Sequence, residues 1–203
     1  MTQCRLFFTI YLVGLMLVGC SSLGSAKRSV ATTFSPEKYS TLAVLVDHEN
    51  FGRTIEDAFV MGLMAKGYSV VSRNDVQQLI GEIQFQGSGL TQSDRVKLGQ
   101  MLNVRGILIV TLTKAYSETR DSSFTDRNGH YHSGSYTVHN AAIDARLIDV
   151  ENGSIQWVSS YSTGGLGDLS DLFSGGDLHG TVQSVSEKVI ESLPDRFKKP
   201  SNG

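Results

Sequence analysis

Several groups of side chains in this sequence have the types and spacing to do chemistry. His130-Tyr131-His132, with His139 further along, is the one local histidine group, and alternate residues of a strand share a face, so two imidazoles could meet one metal ion. The competing reading is solvated histidines at a hairpin tip, since no Cys is at hand to complete a ligand set. Asp168, Asp171 and Asp177 stand among glycines, which suggests calcium, but their spacing does not follow the alternating loop of an EF-hand and a linker fits them better. Gly164-Gly165-Leu166-Gly167 lacks the Lys-Ser/Thr pair of a phosphate loop and does not join a strand directly to a helix, so nucleotide binding is disfavoured. Ser, His and Asp all occur, yet no Gly-x-Ser-x-Gly elbow marks a nucleophile, and an enzyme is not expected.

The most informative chemistry is a thiol at the head of the chain. Arg5 gives a short basic start, Leu6 to Val18 is an apolar run too brief to span a bilayer comfortably, and Leu17-Val18-Gly19-Cys20 closes it with a small residue before the Cys. This resembles a bacterial lipobox, which implies cleavage before Cys20 and acylation of its amino group and thiol. Several acyl chains give lasting attachment, where one chain holds only marginally. The alternatives are an ordinary secretory leader with a coincidental Cys, or an uncleaved anchor. Ser21 stands where an Asp would resemble an inner-membrane retention signal, so the expected location is the periplasmic face of the outer membrane.

Processing would leave 184 of 203 residues, a length that suits one domain with a real core, and with Arg5 gone 17 basic side chains face 20 acidic ones. That balance excludes the basic excess of a nucleic-acid binder. Cys4 departs with the leader and Cys20 is acylated, so no internal disulfide can form and stability must come from packing.

The elements that would position these groups read as follows. Ser21 to Thr33 is small and polar, a flexible tether ending near Ser35-Pro36, with a span of at most about 50 Å. Leu42 to Val46 suits a buried strand, and Arg53 to Lys66 places Ile55, Ala58, Phe59, Gly62 and Leu63 on one helical face before a Gly67 stop. Tyr68 to Ser72 gives another strand, and Asn74 can cap a helix carrying Val76, Leu79, Ile80 and Ile83. Thr91 and Asp94 make a weak capping arrangement before a third helix with Val96, Leu98, Met101 and Leu102. Val104 to Leu112 reads as the central strand, Ser135 to Val150 as another long one, and Asn152-Gly153 as a tight hairpin turn into Ser154 to Ser162, with Ile155, Trp157 and Tyr161 on one face. Gly164 to Gly180 is a connection, and Val182, Val185, Val189, Ile190 and Leu193 stripe a closing helix ended by Pro194.

Three stretches in this order resemble the CsgG family and its TolB-amino-terminal-like relatives. They are Gly67 to Arg73 followed by Val76, Leu79, Ile80 and Glu82; Lys97 to Val104 leading into Ile107 to Val110; and Arg146 to Trp157. The resemblance covers about Tyr39 to Leu193 and implies an α/β fold, one mixed sheet of about five strands flanked by about four helices. It also implies a secretion-channel relative whose subunits each lend two long hairpins to a membrane barrel. Thr111 to Arg120 and Ser133 to Ile143 could pair as such a hairpin around Asp126 to Gly129. Strict alternation puts Leu112, Lys114, Tyr116, Glu118 and Arg120 on one face and Thr111, Thr113, Ala115, Ser117 and Thr119 on the other, and neither suits lipid.

The expected organisation is a signal peptide over 1–19, lipidated Cys20 and tether over 20–38, a CsgG-like periplasmic domain over 39–197 and a tail over 198–203. The expected role is assistance in export or assembly of a surface or envelope component as an oligomeric ring or adaptor subunit. A regulator of a peptidoglycan synthase is the alternative, and an enzyme using the histidine hairpin is a third class. Expected partners are the membrane through Cys20, further copies of the chain, and envelope or secretion-system proteins. Cys20 is the single assigned site residue, with no catalytic residue, metal or cofactor.

Overall fold

A computed structural model describes residues 26–46, 48–71, 75–76, 91–163 and 177–197. Among the described residues six strands form one mixed sheet in the order β1-β6-β5-β4-β2-β3. They are β1 (Lys27–Val30), β2 (Thr41–Val46), β3 (Ser69–Val70), β4 (Gly106–Thr125), β5 (Tyr131–Asp149) and β6 (Ile155–Ser162). β2 runs parallel to both β3 and β4, and the β4–β5–β6–β1 side is antiparallel throughout. The helices among the described residues are α1 (Gly52–Ala65), α2 (Gln92–Met101) and α3 (Leu178–Glu191). The α/β class and mixed sheet match the expectation, with one more strand than the five anticipated. Of the helix expected after Asn74, Asp75 and Val76 are described, and Leu79, Ile80, Glu82 and Ile83 lie outside the described residues.

α1 and α3 cover one face of the sheet. Ile55, Phe59 and Leu63 from α1 meet Val182, Val185, Val189 and Ile190 from α3 over Leu108, Val110, Ile143, Leu147 and Trp157. The two helices approach closely because Gly62 has no side chain: a Cβ there would lie 2.5 Å from Ile190 Cγ2. α1 stops as its sequence requires. Gly67 takes φ +85°, while Tyr68 N donates to Leu63 O at 3.0 Å and Gly67 N to Met64 O at 3.0 Å, satisfying the last carbonyls of the helix. α2 covers the other face, where Leu98 packs with Ala43, Val76, Val104, Ile107 and Val150. Gly99 permits this seating, since a Cβ would come within 2.3 Å of Val150 Cγ2. The Thr91–Asp94 pair forms a complete capping box at the start of α2.

Three expectations change. Lys27–Val30, read as tether, forms the edge strand β1, with Lys27 opposite Ser160 and Val30 opposite Trp157. Its side chains are exposed, so it left no apolar pattern to read. The turn after β5 is not a two-residue hairpin turn: Asp149 N donates to Ser154 O at 2.9 Å, and only Gly153 of the Asn152-Gly153 pair has positive φ, at 71°. Ile155 and Trp157 do not share a face, because the register shifts between Leu147, opposite Trp157, and Ile148, opposite Ile155. Gln156 is the extra residue of that bulge, so Trp157 is fully buried while Ile155 is half exposed.

Candidate functional site

The most conspicuous feature is the outer half of the β4–β5 hairpin. β2 pairs with β4 only as far as Val110, and β6 pairs with β5 only from Ala142 onward. From Lys114 to Thr125 and from Tyr131 to Ala141 the two strands pair with each other alone. At about 3.4 Å per residue this ribbon stands about 40 Å beyond the body of the sheet.

A bulge at the root sets its faces. Leu112 is opposite Ile143 and Lys114 is opposite Ala142, so Thr113 is the extra residue, with its Oγ1 donating to Ala142 O at 3.1 Å. The bulge reverses the side on which later residues point. Leu112 therefore joins Ala115 against the α1–α3 core instead of sharing a face with Lys114, Tyr116, Glu118 and Arg120. One ribbon face carries Lys114, Tyr116, Glu118, Arg120 and Phe124, opposite Val138, Tyr136 and His132. The other carries Ser117, Thr119, Asp121, Ser123 and Thr125, opposite His139, Thr137, Ser135, Ser133 and Tyr131. Glu118 and Arg120 pair with each other, and Phe124 stacks on His132 with centroids 4.9 Å apart. Neither face offers an apolar band. Lys114 and Arg120 facing lipid near the bilayer midplane would each cost about 2–4 kcal/mol.

Asp126 organises the tip. Its Oδ1 accepts from Asn128 N and His130 N, both at 2.9 Å, and its Oδ2 lies 3.3 Å from His130 Nδ1 and 3.2 Å from His132 Nε2. The His130 backbone bond first, then His132, hold the Asp126 carboxyl below its ordinary value. Gly129 turns the chain with φ +86°. The histidine cluster is thus split: His130 and His132 converge on Asp126, while His139 Nδ1 sits 2.7 Å from Ser117 Oγ, far down the ribbon. Among the described residues no group of three or more His, Cys, Asp and Glu side chains could hold a metal ion. Asp177 is the cap of α3, accepting from Gly180 N at 2.8 Å, and Asp168, Asp171, Gly164 to Gly167 and Cys20 lie outside the described residues.

One polar group escaped the sequence reading. Asp149, 1% exposed at the end of β5, accepts from Lys38 Nζ at 2.6 Å and Tyr39 Oη at 2.7 Å through Oδ2, and from Glu151 N at 2.8 Å through Oδ1. Burial pushes this carboxyl up, but the bonds from Lys38, Tyr39 and Glu151 outweigh it and hold it below the usual carboxylate value. The same bond to Asp149 raises Lys38, and burial with Asp149 pushes the Tyr39 phenol far up. Tyr39 also stacks on Phe34 at 5.5 Å. The group fastens the 3₁₀ turn Pro36–Tyr39 to the β5–β6 loop. Beside that loop, Ser93, Val96, Lys97 and Gln100 of α2 face Glu151, Asn152 and Gly153 across a shallow open groove.

A search of curated proteins returned no match. Among solved structures, the PelC dodecamer from Paraburkholderia phytofirmans superposes with a TM-score of 0.48 at 15% identity, covering 87% of this chain and 99% of that one. Lipoprotein GNA1162 from Neisseria meningitidis gives 0.45 at 18% identity over 66% of this chain and 93% of that one. The LpoB C-terminal domain from Salmonella enterica gives 0.41 at 15% identity over 66% and 88%. The family model described as the curli production assembly/transport component CsgG matches residues 24–186, a span that runs from just before β1 into α3, and the chain belongs to the CsgG family.

Proposed function

We propose that this protein is a lipoprotein at the periplasmic face of the bacterial outer membrane, held by acylated Cys20, and that its domain works without catalysis in the export or assembly of a surface or envelope component. The observation that carries this reading is family membership over 24–186 in a chain whose residues 17–20 resemble a lipobox. The domain acts as a subunit of an oligomeric ring or as an adaptor. Ring closure needs contacts between unlike faces of identical subunits. The absence of an apolar band on either face of the ribbon favours a ring that does not use these arms as lipid-facing barrel staves.

The other reading, a regulator of a peptidoglycan synthase similar to LpoB, needs reach. With β1 in the sheet, only Ser21 to Ala26 separate Cys20 from the domain, at most about 21 Å of chain, which disfavours action far across the periplasm. Native mass spectrometry of the lipidated protein in detergent tests the proposal. Closed oligomers of one subunit number are expected, and a stable monomer that captures a penicillin-binding protein overturns the ring in favour of the regulator.

A further inference from the structure

We infer that the ribbon lies along the surface of the membrane that holds Cys20, with its Tyr116 and Phe124 face against the lipid headgroups. The inference rests on the acylation of Cys20 proposed above.

The sheet register gives the direction. Lys27 is opposite Ser160, and Ser160 is opposite Asp144 on β5. β1 is antiparallel to β6, so it begins at Lys27 on the side nearest Ser162 and Ala142, the root of the ribbon. The strand that follows the anchor segment in sequence therefore starts at the end of the sheet from which the ribbon projects.

Their lengths are unequal. From Cys20 to Ala26 the chain spans at most about 21 Å, whereas β5 from Ile143 to Tyr131 runs about 40 Å. Were the ribbon upright, its outer half would pass through the headgroup layer. That half carries Arg120, Asp121, Asp126 and Arg127 and no apolar face, so hydrocarbon does not suit it. A ribbon excluded from hydrocarbon on so short a leash must incline within about 30° of the bilayer plane, from the ratio of those two lengths.

The two faces are not equivalent for such contact. Tyr116 is 47% exposed and Phe124 64% exposed, and with Lys114 and the Arg120–Glu118 pair they make the mixture of aromatic and charged groups that partitions to a membrane interface. The opposite face carries short hydroxyls with Asp121 and His139 and one aromatic, Tyr131, at its outer end, whereas Tyr116, Tyr136 and Phe124 are spread along the whole length of the first face. The occupant is therefore the headgroup layer of the anchoring leaflet, and the hydroxyl face looks away from it.

Ser122 and Ser123 are neighbours on opposite faces, both exposed and at the same distance from the tip. In the lipidated full chain Cys4 is removed and Cys20 is acylated, so Ser122→Cys or Ser123→Cys provides a single thiol for a bimane label. Each labelled protein is placed in phosphatidylethanolamine and phosphatidylglycerol vesicles carrying a nitroxide either on the headgroup or deep in the acyl chain, and acylation is read from intact mass. Headgroup nitroxide should quench the label at 122 at least about threefold more than at 123. Equal quenching at both positions, quenching by the deep nitroxide, or no quenching at either in protein of acylated mass overturns the ribbon's placement alone. An unmodified Cys20 overturns the anchor, and the placement with it.

Discussion

Replacing Asp149 by Ala removes the acceptor of three hydrogen bonds at once, and the consequences can be worked bond by bond. Tyr39 is 1% exposed, so its hydroxyl is left unsatisfied away from water at a cost of about 1–3 kcal/mol. The Glu151 backbone bond contributes about 1 kcal/mol more. Lys38 is 38% exposed on its side chain and retains Glu151 at 3.2 Å, so its share is that of a screened surface pair, about 0–1 kcal/mol. The sum is about 2–5 kcal/mol, or about 5–15 °C in Tm for a domain of this size. Trp157, the sole tryptophan and 0% exposed, reports urea unfolding of the core directly. The pH dependence has a definite sign. Asp149 is depressed, so its contribution is present above the unfolded carboxyl value and is lost as pH falls through the lower folded one. Lys38 is raised, so its contribution is complete below the unfolded lysine value and is lost as pH rises through the folded one. The gap between the parent and Asp149→Ala should be flat from about pH 5 to 9, narrow as pH falls below that window, and lose only the Lys38 share of about 0–1 kcal/mol above it. A variant within about 1 kcal/mol of the parent at pH 7 would refute the reasoning, because even the Tyr39 penalty alone reaches that size.

Other outcomes follow from single contacts. Gly99→Val forces a side chain against Val150 and should lower stability by about 1–3 kcal/mol in the same urea assay. Asp126→Ala should accelerate amide exchange at Asn128 and His130 while leaving Trp157 unfolding unchanged, and in the parent the same protection should fade as pH falls through the depressed Asp126 value. Phe124→Ser, far out on the ribbon, should alter stability by no more than about 0.5 kcal/mol, read by thermal unfolding. Cys20→Ala should move the protein from the membrane to the soluble fraction, read by fractionation and intact mass.

The helices were legible because their signals are local. The Ile55, Ala58, Phe59, Leu63 stripe, the Gly67 stop, the Thr91–Asp94 box and the Val182 to Ile190 stripe each specify their element within a few turns of chain. The strands were legible in position and, in two places, wrong in facing. Both failures have one cause: a bulge at Thr113 and another at Gln156 each insert a residue and reverse the alternation beyond it. Nothing in Leu112-Thr113-Lys114 or Ile155-Gln156-Trp157 announces an unpaired residue, since a bulge is decided by the partner strand. β1 was missed for a similar reason, as an exposed Lys-Arg-Ser-Val segment becomes a strand only where β6 offers an edge. Of the candidate site, the hairpin and its histidines could be read, but the convergence on Asp126 and the seclusion of Asp149 depend on contacts as distant as Lys38 to Asp149.

The first described strand also serves as a guard rail. A recombinant fragment trimmed at Ala31, on the view that everything before it is spacer, would strip β6 of its neighbour and bare the backbone donors and acceptors that now bond Lys27–Val30. Such a bare rim, flanked by the half-open Ile155 and Val158, invites a foreign strand to dock there. Fragments beginning at Ala31 should therefore clump or swap strands where those beginning at Ala26 stay discrete.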